Sequence, residues 1–128
     1  MKILIVDDDE SLTQVLSTAF TKEGFTTIVS KTGRDGLNKA KEENPNLILL
    51  DQVLPDISGN QILKELKIDE QTKTIPVMMV SNFSQEDLVN QAINDGATDY
   101  IFKYQADIED IVNKVKGALK SDDSGQTV

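Results

Sequence analysis

Five times along this chain a short apolar or β-branched run gives way to a stretch in which apolar residues recur at helical spacing, and that alternation leaves few architectures open. The runs are Lys2 to Val6, Phe25 to Val29, Leu47 to Leu50, Ile75 to Val80 and Tyr100 to Phe102. Runs dense in Ile, Leu and Val without polar alternation read as strands buried on both faces, as in a parallel sheet. Between them, Leu12, Val15, Leu16, Ala19 and Phe20 predict one apolar helix face with Gly24 as its C-cap. Gly33 to Glu43 predicts a second helix, and Ile62, Leu63 and Leu66 a third after the Pro55–Gly59 loop. Ser84, with Asp87 three residues on, predicts a capping box for a fourth helix that stops near Gly96. Ile108, Ile111, Val112, Val115 and Leu119 give a fifth helix its apolar face. Right-handed crossovers with short turns place such helices on both sides of the sheet.

The 128 residues suffice for one domain with a real core, expected over 1–120. Residues 121–128, SDDSGQTV, read as a polar disordered tail or a linker stub. No apolar run approaches the roughly 20 residues that span a bilayer. The opening MKILIVDDDE is too short in its apolar part for a secretory signal, so membrane insertion is not expected and a cytoplasmic location is. Cysteine and histidine are both absent, which removes disulfides, thiol nucleophiles, Ser-His triads and the usual zinc sites. A net charge of −9, with Arg34 the only arginine, argues against a nucleic-acid surface. Any chemistry runs on carboxylates, hydroxyls and lysines.

In open parallel sheets the binding crevice lies beyond the carboxyl ends of the strands, where the strand order reverses. Those ends present Asp7, Asp8 and Asp9, then Asp51, Ser81 and Lys103. For an order of 2-1-3-4-5, strands one and three flank the reversal and two acidic clusters face each other. At an effective dielectric near 20, each like-charge pair about 4 Å apart repels by roughly 4 kcal/mol, so the cluster calls for cations. Lys103 supplies one charge, and an all-oxygen set suits Mg2+ for the rest. A carboxylate beside Mg2+ and a lysine is placed to attack phosphorus, giving an aspartyl phosphate that a hydroxyl such as Ser81 can turn to meet. Read more plainly, Asp7 and Asp8 are acids at a helix N-terminus, as Asp9 and Glu10 are expected to be, and Ser81 is a turn cap. The juxtaposition with Asp51 favours the chemical reading.

ILIVDDDE, LILLDQVLPDISG, VMMVSN and DYIFK, in this order and spacing, resemble the receiver domain of two-component response regulators, from Met1 to about Lys120. The resemblance implies a flavodoxin-like (βα)5 sandwich with Asp51 as phosphoacceptor. It makes Asp8 a direct Mg2+ ligand, Asp7 a ligand through water and Val53 a ligand through its backbone carbonyl. Ser81 takes the switch hydroxyl position, Lys103 that of the phosphate-pairing lysine, and Tyr100 that of the aromatic whose rotamer follows the switch. Implied partners are a histidine kinase or phosphotransfer protein as donor and a downstream protein target, met on the face of helix four, strand five and helix five. Tyr104 follows Lys103 where the family usually has a proline joined by a cis bond, and Asn82 stands where a small Ala or Gly is usual. Val53 and Phe83, both apolar, occupy positions that often guide water, so slow self-dephosphorylation is expected and no other enzyme activity.

Three other readings compete. A phosphatase with an Asp nucleophile resembles D-x-D, but Val53 fills the place of the second acid. A flavin carrier lacks its phosphate loop after strand one. A receiver-like interaction module that is never phosphorylated typically loses the acceptor or acid pair, which this chain keeps.

Overall fold

The computed structural model describes residues 1–82, 85–103 and 105–127, with side chains through Leu119. The strands are β1 (Lys2–Val6), β2 (Thr26–Ser30), β3 (Leu47–Asp51), β4 (Val77–Ser81) and β5 (Asp99–Phe102). The helices are α1 (Glu10–Lys22), α2 (Gly33–Glu43), α3 (Gly59–Ile68), α4 (Glu86–Asn94) and α5 (Ile108–Thr127). All strand pairs are parallel and the order is β2-β1-β3-β4-β5, the flavodoxin-like arrangement expected above.

Every residue of β3 and β4 is buried, as a strand covered on both faces requires. The period-2 alternation of side chains divides the core into two layers. Leu4, Val6, Ile48, Leu50, Val77 and Met79 face α2, α3 and α4, where they meet Leu37, Ile62, Leu63, Leu66 and Ala92. Ile3, Ile5, Leu47, Leu49, Met78 and Val80 face α1 and α5, where they meet Leu16, Phe20, Ile111, Val115 and Leu119.

Several boundaries depart from expectation for local reasons. β4 starts at Val77, because Pro76 has no N–H for the ladder and supplies only its carbonyl, to Ile48 N at 3.0 Å. β2 runs one residue later than expected, because Ser30 O accepts from Asp7 N at 2.9 Å and prolongs the pairing. Val15, expected on the inner face of α1, is 49% exposed; Thr13, Leu16 and Phe20 form the buried stripe, with Leu12 and Ala19 at its margins. The C-cap of α1 is Glu23, and Gly24 follows with φ of +90°, a conformation that glycine adopts without penalty. The N-cap of α4 is Gln85, which makes no side-chain capping bond; Ser84 lies outside the described residues. The backbone of α5 stays helical to Thr127, inside the segment expected to be a polar tail; once nucleated, a helix extends at one hydrogen bond per added residue.

Candidate functional site

Three strand ends converge at the carboxyl edge of the sheet. Asp7 follows β1 and is 3% exposed; its backbone is held by the bond to Ser30, and its Oδ1 accepts from Asp9 N at 3.0 Å. Asp51 closes β3 at 6% exposure. Lys103 follows β5, and its N–H donates to Ser81 O at 2.9 Å, which fixes where its side chain sets out. The ammonium then lies between two carboxylates, 2.9 Å from Asp7 Oδ2 and 3.4 Å from Asp51 Oδ2. Asp8 is exposed, and one oxygen from each of Asp7, Asp8 and Asp51 falls within 4.8 Å of the others.

The electrostatics of this cluster are lopsided. Burial, and then the charge of Asp7, push the Asp51 carboxyl up to about 6, against the opposing pull of Lys103 and of the Val53 N–H. Burial also works against the Lys103 ammonium, but its hydrogen bond to Asp7 and the charges of Asp51 and Asp7 outweigh that and hold its pKa above the ordinary lysine value. Three carboxylates against one ammonium leave two negative charges uncompensated when all are ionised. A divalent cation on oxygen ligands fits that deficit, and the raised pKa of Asp51, owed first to burial and then to the charge of Asp7, is in keeping with it.

Ser81 ends β4 at 1% exposure, in register with Phe102 and one residue beyond the Asp51–Val80 pair, so it stands beside the acidic cluster. Tyr100 is buried on the α4 side of the sheet. Burial raises the pKa of its phenol, the nearby Ser81 side chain lowers it and the Asp51 charge raises it again. The phenol oxygen lies near Ser81 without a hydrogen bond of good geometry. Val53 projects its side chain outward at 52% exposure while its amide faces the Asp51 carboxylate. Asp9 and Glu10 stay out of the cluster: Asp9 caps α1 by accepting from Leu12 N at 3.1 Å, and Glu10 pairs with Lys31. Asn82 is exposed, whereas Phe83 and Tyr104 lie outside the described residues, and with Tyr104 the Lys103–Tyr104 bond. Among the described residues no peptide bond is cis.

Sequence reasoning passed over the residues that shape the loop between Asp51 and α3. A Cβ on Gly59 would stand 2.2 Å from the Asp51 carbonyl oxygen and 2.8 Å from Gln52 Cα, so glycine alone allows that approach, and Gly59 N donates to Gln52 O at 2.8 Å. The Ser58–Gly59 pair ahead of an apolar helix was the available signal, since Ser58 is the N-cap of α3. Asp56 accepts from Gly33 N at 2.8 Å and Arg34 N at 2.9 Å, partners more than twenty positions away that no local pattern announces. Gln52 and Asn60 are both 6% exposed and bury carboxamide atoms that have no hydrogen-bond partner.

Comparison with known proteins matches residues 3–116 to the family model of the response regulator receiver domain. The protein PilH of Pseudomonas aeruginosa is 32% identical over 118 residues, which cover 92% of this chain and 97% of PilH. The regulatory protein AtoC of Escherichia coli is 34% identical over 93% of the chain but only 25% of its own length, and YkoG of Bacillus subtilis 35% identical over 92% and 50%. The chain thus spans between a quarter and a half of those two regulators. Among solved structures, a CheY-like receiver domain from Methanospirillum hungatei superposes with a TM-score of 0.89 at 28% identity, covering 97% of each chain. The Mn2+-bound form of response regulator Rcp1 superposes with a TM-score of 0.77 at 26% identity, over 91% of this chain and 89% of that one.

Proposed function

The chain belongs to the response regulator receiver domain family, and from that premise we propose that it is a phosphoacceptor switch of two-component signalling, loaded on Asp51 and dependent on Mg2+. The single observation that carries the reading is the cluster of Asp7, Asp8 and Asp51 around Lys103, with Asp51 held at the end of a fully buried strand.

Asp8 and Asp51 would hold the ion directly, Val53 through its carbonyl and Asp7 through water. A bound Mg2+ supplies neutralisation of the phosphoryl oxygens and of the acidic cluster. An Asp51 carboxylate oxygen attacks the phosphorus of a phosphohistidine or acyl phosphate; a new O–P bond forms as the donor's N–P or O–P bond breaks, and the electron pair leaves with the donor. Lys103, already 3.4 Å from Asp51 Oδ2, is placed to pair with a phosphoryl oxygen, while Asp7 keeps hold of the same ammonium. Ser81 turns to the phosphoryl group, and Tyr100 responds beside it. The donor is a histidine kinase or phosphotransfer protein, and the output is a protein contact on the α4–β5–α5 face. A groove lined by Tyr100, Phe102, Gln105 and Ala106 supports that assignment. The outward, apolar Val53 supports slow self-dephosphorylation in place of turnover.

Intact mass after incubation with acetyl phosphate or phosphoramidate tests this. One phosphoryl group should be gained by wild type with Mg2+ and none by Asp51→Asn or after chelation. A folded, Mg2+-binding wild type that gains nothing would instead favour a phosphorylation-independent interaction module.

A further inference from the structure

The loop that delivers Asp51 and Val53 is tied down at two levels. Its base is closed by Gly59 N on Gln52 O at 2.8 Å, with the two backbones in a contact only glycine permits. Its outer turn is held by Asp56, an exposed residue whose two carboxylate oxygens take separate N–H groups from the first turn of α2.

The donors of that turn can be accounted for one by one. Thr32 is the N-cap and its hydroxyl accepts from Asp35 N at 3.1 Å; Gly36 N makes the first intrahelical bond, to Thr32 O at 3.0 Å. Gly33 and Arg34 therefore carry the amides that nothing in α2 can satisfy, and Asp56 takes both. The positive end of the helix favours a carboxylate in that place, and the two bonds, Arg34's first, draw the Asp56 carboxyl below its ordinary range. Arg34 continues the connection on its other side, where its guanidinium lies 3.5 Å from Glu65 Oε1 of α3.

We infer that Asp56 is a positioning residue: by latching the β3–α3 loop onto the N-terminus of α2, it holds the backbone of Val53 and the Asp51 carboxylate in one arrangement ready for a divalent cation. The inference rests on the proposed Mg2+-dependent reading of the site. The latch can be removed without dismantling the core, since Leu54, 9% exposed, and the partly buried Ile57 pack the loop against the α2–α3 layer independently of it.

The test compares wild type, Asp56→Ala and Asp56→Asn by calorimetric titration with MgCl2, by amide hydrogen exchange and by acetyl phosphate loading across Mg2+ concentrations. Asp56→Ala should raise the exchange rate at Gly33 and Arg34 and weaken Mg2+ binding by about 10-fold, the scale of losing an outer-shell support. Loading should slow at low Mg2+ and recover at saturating Mg2+. Asp56→Asn, which keeps one acceptor oxygen, should fall between the two. Equal Mg2+ affinity in Asp56→Ala and wild type would overturn the inference, as would Asn behaving like Ala, which would reduce the effect to lost charge. A deficit that persists at saturating Mg2+ with a lowered unfolding temperature would also overturn it, in favour of a general packing role. A wild type that binds no Mg2+ would remove the reading beneath it, and unchanged Gly33 and Arg34 exchange in Asp56→Ala would refute the latch on its own terms.

Discussion

α3 and α4 lie against the same face of the sheet, each just beyond a strand that ends in a buried polar residue, Asp51 or Ser81, yet they are fastened very differently. α3 is capped by Ser58 and buries Gly59, Asn60, Ile62, Leu63 and Leu66. Among the described residues α4 has no side-chain cap, Gln85 making no capping bond, and the helix buries Ala92, with Val89 packed at the core margin. Among the described residues, no ion pair involves an α4 side chain, whereas Glu65 ties α3 to Arg34. Under the proposed function the difference suits a division of labour: the side carrying Asp51 is firmly anchored, and the side beyond Ser81 could shift at low cost in answer to a local change of charge.

Truncating the two helices gives the largest contrast. Leu63→Ala, at a position with no exposure, should cost about 2–5 kcal/mol, and Val89→Ala about 1 kcal/mol or less, by urea unfolding. Equal losses would break the comparison. The anchored side also carries the charge strain. Because folding raises the Asp51 carboxyl from 3.8 to about 6, the native state binds that proton more tightly than the unfolded chain, and the cost of ionised Asp51 builds as pH rises between those values and is complete above the higher one. Asp51→Asn should therefore exceed wild type in stability by about 1–3 kcal/mol at pH 7.5, an advantage that shrinks as pH falls from 6 to 4. Identical unfolding curves at pH 7.5 would show that the strain is relieved elsewhere. Capping changes should be smallest: Ser58→Ala should cost about 1 kcal/mol, whereas Gln85→Ser should gain a few tenths to about 1 kcal/mol by placing a hydroxyl at the N-cap, where Gln85 makes no capping bond. If Gln85→Ser also slowed phosphoryl loading, the looseness of α4 would be tied directly to the switch.

Much of this was legible before any coordinates. The five strand runs follow from apolar density, their order 2-1-3-4-5 was implied by the resemblance to receiver domains, and in that order Asp7, Asp8, Asp51 and Lys103 meet because all four stand at strand ends. What stayed hidden depends on distant partners or on fine helical phase. Asp56 looks like an ordinary loop acid until α2 is seen to offer it two amides. Val15 belongs to an apolar face by spacing but lies outside the arc that the sheet covers. The buried amides of Gln52 and Asn60 could not be anticipated, because polarity in a sequence argues for exposure.

The burial of Tyr100 has an optical consequence. The chain has no tryptophan and two tyrosines, Tyr100 and Tyr104, which bracket Lys103 in sequence. Near-ultraviolet absorption and intrinsic emission therefore come chiefly from these two residues, of which Tyr100 is buried in β5. An unlabelled sample should report events at Asp51 through its tyrosine signal, with no other chromophore of comparable strength to dilute it.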